Sequence, residues 1–96
     1  MNLSLVAVND LGKMTWYEAV DYCFQNKDWR LPTRKELNQI YKSLHKKGEG
    51  GFENSYYWTI DELSTAYAWS LNFNTGVLHY YTKMQKNNIR LIKNGI

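Results

Sequence analysis

The chain contains a single proline, Pro32, and its position limits the fold more than any other residue does. The ring biases Leu31 toward an extended conformation. Directly after it, Thr33-Arg34-Lys35-Glu36 has the form of a capping box, in which the Thr33 hydroxyl accepts from the amide three residues on while Glu36 reaches back to the cap amide. Whatever precedes Pro32 must end there, and a helix must begin just past it. Leu37, Ile40, Tyr41 and Leu44 continue at i, i+3, i+4 and i+7, which predicts a helix running to about Lys46. Lys42, Lys46 and Lys47 crowd its end, where positive charge suits the helix dipole.

Thr15-Trp16-Tyr17-Glu18 is a second capping box, placing an earlier helix from Thr15 with Trp16, Ala19, Val20, Cys23 and Phe24 along one apolar side until Asn26-Lys27-Asp28 breaks the pattern. Before it, Leu3, Leu5 and Ala7 alternate with Ser4 and Val6 ahead of Asn9-Asp10-Leu11-Gly12, which predicts a first strand closed by a turn. After the second helix, Gly48 to Ser55 is a glycine-rich connection, the segment expected to be most mobile. The period then shortens to that of strands: Tyr56 to Thr59, Ala66 to Phe73, Val77 to Thr82 and Ile89 to Ile92. Asn74-Thr75-Gly76 supplies a hairpin link with glycine where a positive φ is wanted. Helices followed by antiparallel strands, with no internal repeat or linker, predict one α+β domain over residues 1–96 with two helices packed on a small antiparallel sheet.

At 96 residues, with 44% hydrophobic residues, four Trp and eight Tyr, the chain can bury a modest core rich in rings. A net charge of +3 without any long run of like charge names no partner. Cys23 is the only cysteine, which excludes an internal disulfide and a cysteine-based zinc site. The first eight residues lack the pattern of a secretion signal, and no apolar run reaches the ~18 residues of a membrane span. A reducing, cytoplasmic setting is the expectation.

Met14-Thr15-Trp16, Ala19, Tyr22-Cys23, the block Trp29 to Leu37, Tyr57-Trp58-Thr59, Ala68-Trp69, Asn72-Phe73, Gly76 and Ile89-Arg90-Leu91-Ile92 together resemble the Legionella-collagen-like C-terminal domain family of bacteria and phages. That family is similar to the sulfatase-modifying, formylglycine-generating enzymes and to retroelement variable proteins. The resemblance implies a C-type-lectin-like fold in which the N- and C-terminal strands pair, bringing Leu3 to Val8 beside Ile89 to Lys93. Many relatives carry a second cysteine after the arginine of the last strand; here that position is Leu91, so Cys23 has no partner.

Candidate chemistry is sparse. The resemblance to formylglycine-generating enzymes raises Cys23 as a nucleophile in an oxidase, but its place on an apolar helical stripe predicts a buried, unreactive thiol. His45 and His79 lack partners at metal-ligand spacing and are expected as surface imidazoles. Asp61-Glu62 is too small a set for calcium, and the Glu-Pro-Asn and Trp-Asn-Asp triplets of sugar-binding C-type lectins do not occur. Arg30 and Arg90 are expected to tie loops and a carboxylate such as Glu36 internally.

The expected protein-binding surface is formed by the late strands, through Tyr67, His79, Tyr80, Tyr81, Lys83, Gln85, Lys86, Asn87 and Asn88, with the Gly48 to Ser55 loop, because tyrosine and asparagine give contact area and adaptable hydrogen bonds. The sequence therefore predicts a non-enzymatic recognition domain without cofactor or metal, binding a protein as a small intracellular inhibitor or adaptor, for example a phage-encoded antagonist of a host defence complex. A carbohydrate-binding module ranks second. Single-stranded nucleic acid, met by the interleaved Tyr80 to Lys86, ranks below both.

Overall fold

In the computed structural model, which describes residues 1–94, both helices begin where the capping boxes place them. Thr15 Oγ1 accepts from the Glu18 amide at 3.1 Å and Glu18 Oε1 from the Thr15 amide at 3.0 Å. Thr33 and Glu36 repeat the exchange at 3.1 and 3.0 Å. Helix α1 spans Trp16–Gln25 and α2 spans Arg34–Ser43, followed by a single 3-10 turn at His45–Lys47. Seven short strands accompany them: β1 (Gly12–Met14), β2 (Trp29–Arg30), β3 (Tyr56–Glu62), β4 (Tyr67–Asn72), β5 (Leu78–Thr82), β6 (Asn87–Ile89) and β7 (Ile92–Lys93).

The larger sheet has the order β1-β6-β3-β4-β5, and β2 with β7 forms a second, two-stranded sheet. All pairings are antiparallel except the contact of β3 with β6, where Tyr57 sits opposite Asn88. Successive residues of a strand project to opposite faces, and cross-strand partners share a face. Trp58, Ala68 and Ile89 therefore project to one side, where they pack with Trp16 and Ala19 of α1 and with Leu31 and Leu91. Tyr57, Leu71 and Phe73 project to the other, against Leu37 and Ile40 of α2 and Ile92. The sheet is clamped between the helices, one on each face. Burying a side chain such as Leu37 or Ile40 completely contributes about 1.5–3 kcal/mol.

This is the expected α+β arrangement, with the chain ends side by side: Val6 bridges Ile92, and the Ala7 amide donates to the Leu91 carbonyl at 2.9 Å. The details differ in four places. Leu3–Leu5 is a 3-10 turn, because Asn2 Oδ1 accepts from both the Ser4 amide and the Ser4 hydroxyl and curls the segment. The first strand is instead β1, opened by Gly12 with φ 134° and paired with β6. Ile89 to Ile92 is two strands, since the chain leaves one sheet at Ile89 and joins the other at Ile92 while Arg90 turns inward. Phe24, expected on the packed side of α1, is 71% exposed.

The glycine-rich connection is also tied down rather than loose. Arg90, 1% exposed, donates to the carbonyls of Ala7, Gly50 and Gly51 and through Nε to Asp10 Oδ1 at 2.7 Å. Its guanidinium lies 3.9 Å from the centre of the Phe52 ring. The other Asp10 oxygen accepts from the Tyr57 hydroxyl at 2.7 Å, and that hydroxyl in turn accepts from the Glu53 amide at 2.9 Å. Burial, first of all, pushes the Tyr57 phenol up and keeps it neutral.

Candidate functional site

The β4–β5 hairpin forms one edge of the larger sheet: Ala68, Ser70 and Leu71 of β4 are buried, whereas β5 has no buried residue. The hairpin turn follows from two residues. Gly76, at φ 76°, bends the chain so that its amide reaches the Asn72 carbonyl at 2.6 Å, and Asn72 Oδ1 accepts from the Asn74 amide at 2.8 Å. The resulting register sets Trp69 opposite Tyr80, Ser70 opposite His79, and Ala68 opposite Tyr81.

One face of the hairpin carries a row of rings. Tyr80, 55% exposed, stands between Trp69 and Tyr67, with edge-on centroid distances of 5.6 and 5.8 Å. Arg34, at the start of α2, extends the row, its guanidinium 5.4 Å from the Trp69 ring. It is held there by Asp61, whose Oδ2 accepts from the Arg34 amide at 2.7 Å and lies 3.4 Å from Arg34 Nε. On the opposite face Tyr56 meets His79 at 5.7 Å and Tyr81 at 5.0 Å. Hydrogen bonding with Tyr56 is the main cause that raises the Tyr81 phenol above its ordinary value. Aromatic surface of this kind offers contact area at low entropic cost with hydroxyls at its rim.

Of the residues expected at the surface, Tyr67, His79, Tyr80, Gln85 and Lys86 are exposed and Tyr81 is half-buried. Three expectations are corrected. Lys83 is 2% exposed, its ammonium turned under α1 to the Glu62 carboxylate and the Thr65 carbonyl and lying 4.3 Å from the Trp16 ring. Strand alternation ends at Thr82, and the Lys83 backbone is fixed by the Trp16 amide on one side and the Ala66 carbonyl on the other, which directs the side chain inward. Asn87 and Asn88, 6% and 3% exposed, belong to β6, an inner strand flanked by β1 and β3. Asn88 donates to Glu53 Oε2 at 2.9 Å.

His45 is likewise no surface imidazole. It packs among Tyr41, Phe52 and Phe73, with Nε2 2.7 Å from Asn54 Oδ1. Asp61 and Glu62 are committed to Arg34 and Lys83. Cys23 is half-buried beside the first core cluster, and burial pushes its thiol up. Among the described residues no three His, Cys, Asp or Glu converge as metal ligands, and no helix is long and apolar enough to cross a membrane.

Trp69 and Arg34 are the residues that sequence reasoning left out of the surface. A signal for Trp69 was present: counting back from Gly76 through the hairpin sets it against Tyr80. Arg34 has no such local signal, since it meets the ring through the packing of α2 on the sheet. No curated protein matches the chain. A family model does: the Lcl C-terminal domain matches residues 4–93, nearly the whole chain with both α-helices and all seven strands described above, and the chain therefore belongs to the Lcl C-terminal domain family.

Proposed function

We propose that this chain is a non-catalytic recognition domain that binds a protein partner through the ring row Tyr67-Tyr80-Trp69 and its neighbour Arg34. The observation that carries the reading is the exposure of Tyr80 and Tyr67, at 55% and 42%, on a hairpin whose backbone is fixed by its register. Tyr, Trp and Arg are the side chains that dominate binding energy at interfaces, above all when a rigid scaffold presents them. Membership of the Lcl C-terminal domain family supports a non-catalytic role. The committed side chains of Asp61, Glu62 and Lys83 support it too, because each is already neutralised by a structural partner.

In its most concrete form the domain acts in a reducing, intracellular setting as a small inhibitor or adaptor, such as a phage-encoded antagonist of a host defence complex. The unpaired Cys23 is what supports that form. The test is to capture the partner from the producing cell and to titrate it with wild type, Tyr80→Ala, Trp69→Ala and, as a control on α1, Phe24→Ala. The expected result is at least tenfold weaker binding for the first two, about 1.4 kcal/mol or more, with Phe24→Ala unchanged. Equal affinity for all four proteins overturns the surface.

Rings in a row also stack on sugars, so a glycan array probed with and without chelator is the matching test of a lectin-like role. The nucleic-acid reading loses its footing, because Lys83 is buried and paired and leaves Lys86 as the one exposed cation of the Tyr80 to Lys86 stretch.

A further inference from the structure

From Leu63 to Thr82 the chain has no Asp, Glu, Lys or Arg, although such residues make up 22% of the whole. This uncharged stretch contains all of β4 and β5, and β5 is an edge of the sheet. Edge strands normally carry charge, proline or a bulge that discourages pairing with another chain. β5 has none of these: its sequence is Leu78-His79-Tyr80-Tyr81-Thr82 and its pairing with β4 runs without a register shift.

The direction of its backbone groups follows from the ladder. The Asn72 amide donates to the Val77 carbonyl and the Lys83 amide to the Ala66 carbonyl, so 77, 79, 81 and 83 face β4. Leu78, Tyr80 and Thr82 face outward. The Thr82 carbonyl is taken by the Gln85 amide at 2.9 Å, which leaves the outward groups of Leu78 and Tyr80 and the amide of Thr82.

We infer that β5 is the contact of a homodimer, in which two copies pair antiparallel about a two-fold axis through Tyr80 and join their sheets into one. The row of outward groups is self-complementary in that register. Tyr80 exchanges both hydrogen bonds with its counterpart, and each Thr82 amide reaches the opposite Leu78 carbonyl, about four bonds in all. On one face Leu78 meets Thr82 of the other copy, and on the other face His79 meets Tyr81, so no charge opposes a like charge although each chain is +3 overall. A second copy is favoured over a foreign segment because a neutral strand offers a foreign sequence no charge to select it, whereas it matches itself at every position.

The two-fold keeps equivalent faces on the same side. The row Tyr67-Tyr80-Trp69 of one copy would then continue into that of the other. The inference goes beyond the partner reading and does not depend on it, since it is tested on the chain alone.

The experiment is sedimentation equilibrium of the intact chain from about 10 µM to about 1 mM, a span that brackets weak to moderate association. Wild type is expected to approach twice its 11.4 kDa. Tyr80→Lys and Tyr80→Glu, each checked for folding by circular dichroism, are expected to stay at the single mass because like charges meet on the axis. Mixing the two variants is expected to restore the double mass, as opposite charges then face each other. Amide exchange on wild type gives a readout free of substitution: the Tyr80 and Thr82 amides should slow as concentration rises. Wild type at the single mass throughout overturns the proposal, as it would if a foreign segment occupies β5. Failure of the mixture to associate, or exchange at Tyr80 and Thr82 that ignores concentration, overturns it as well.

Discussion

Arg30 donates both terminal nitrogens to the Glu36 carboxylate, at 2.7 and 2.6 Å, while Glu36 also accepts from the Thr33 amide and so caps α2. The Arg30 hydrogen bonds are the main reason that the Glu36 carboxyl falls from its ordinary 4.5 to about 2. A carboxylate whose pKa is lower in the folded chain contributes stability that is present above the unfolded value and lost as pH falls through the folded one. Glu36→Gln should therefore unfold at lower temperature than wild type at neutral pH, and the gap should close between about pH 5 and pH 2 in a melting series. The pair was legible in the sequence because both residues sit in one short motif around Pro32. The pairing of Arg90 with Asp10 was legible only in part. An internal role for the arginine follows from its apolar neighbours, but 80 residues separate it from its carboxylate and no local pattern reports the closure. Lys83 was misplaced for a related reason: a lysine just past a strand of tyrosines looks solvated unless Glu62 and Trp16 are known to lie beneath it.

Among the elements, both helices were legible to within a residue or two at their starts, since capping boxes and apolar spacing are local. The hairpin was legible as well, because Gly76 carries its turn. A Cβ on Gly76 would lie 2.7 Å from Tyr41 Cε2, in addition to the strain of an L residue at φ 76°. Gly48 has the second problem alone, with φ 75° and open space around it. Gly76→Ala should accordingly cost more than Gly48→Ala, which should stay near ~1 kcal/mol, when both are measured by urea unfolding. The very short strands escaped. β1, β2 and β7 have two or three residues each, too few for an alternating pattern, and they exist because a distant partner supplies their hydrogen bonds. Leu3–Leu5 fails in the opposite sense, where alternation was present but Asn2 offered the backbone a local bond instead.

At the scale of the molecule, one guanidinium joins the N-terminal segment at Ala7 and Asp10 to the glycine-rich connection at Gly50 and Gly51. Lysine keeps the charge but cannot reach several acceptors in a plane. Arg90→Lys should lower the unfolding free energy by about 3 kcal/mol or more, as for other broken buried pairs. It should also speed deuterium uptake in residues 48–55 more than in α1, which hydrogen exchange read by mass spectrometry would reveal. The order of strands has its own outcome during synthesis. β6 lies between β1 and β3, although it is made after both and after the whole β3–β4–β5 meander. Until residues 87–93 have left the ribosome, β1 has no neighbour, β3 keeps an open edge, and Asp10 waits without its cation. The domain therefore cannot close in the order of its synthesis, as a helical bundle could; residues 87–93 act as the key that locks the strands translated before them.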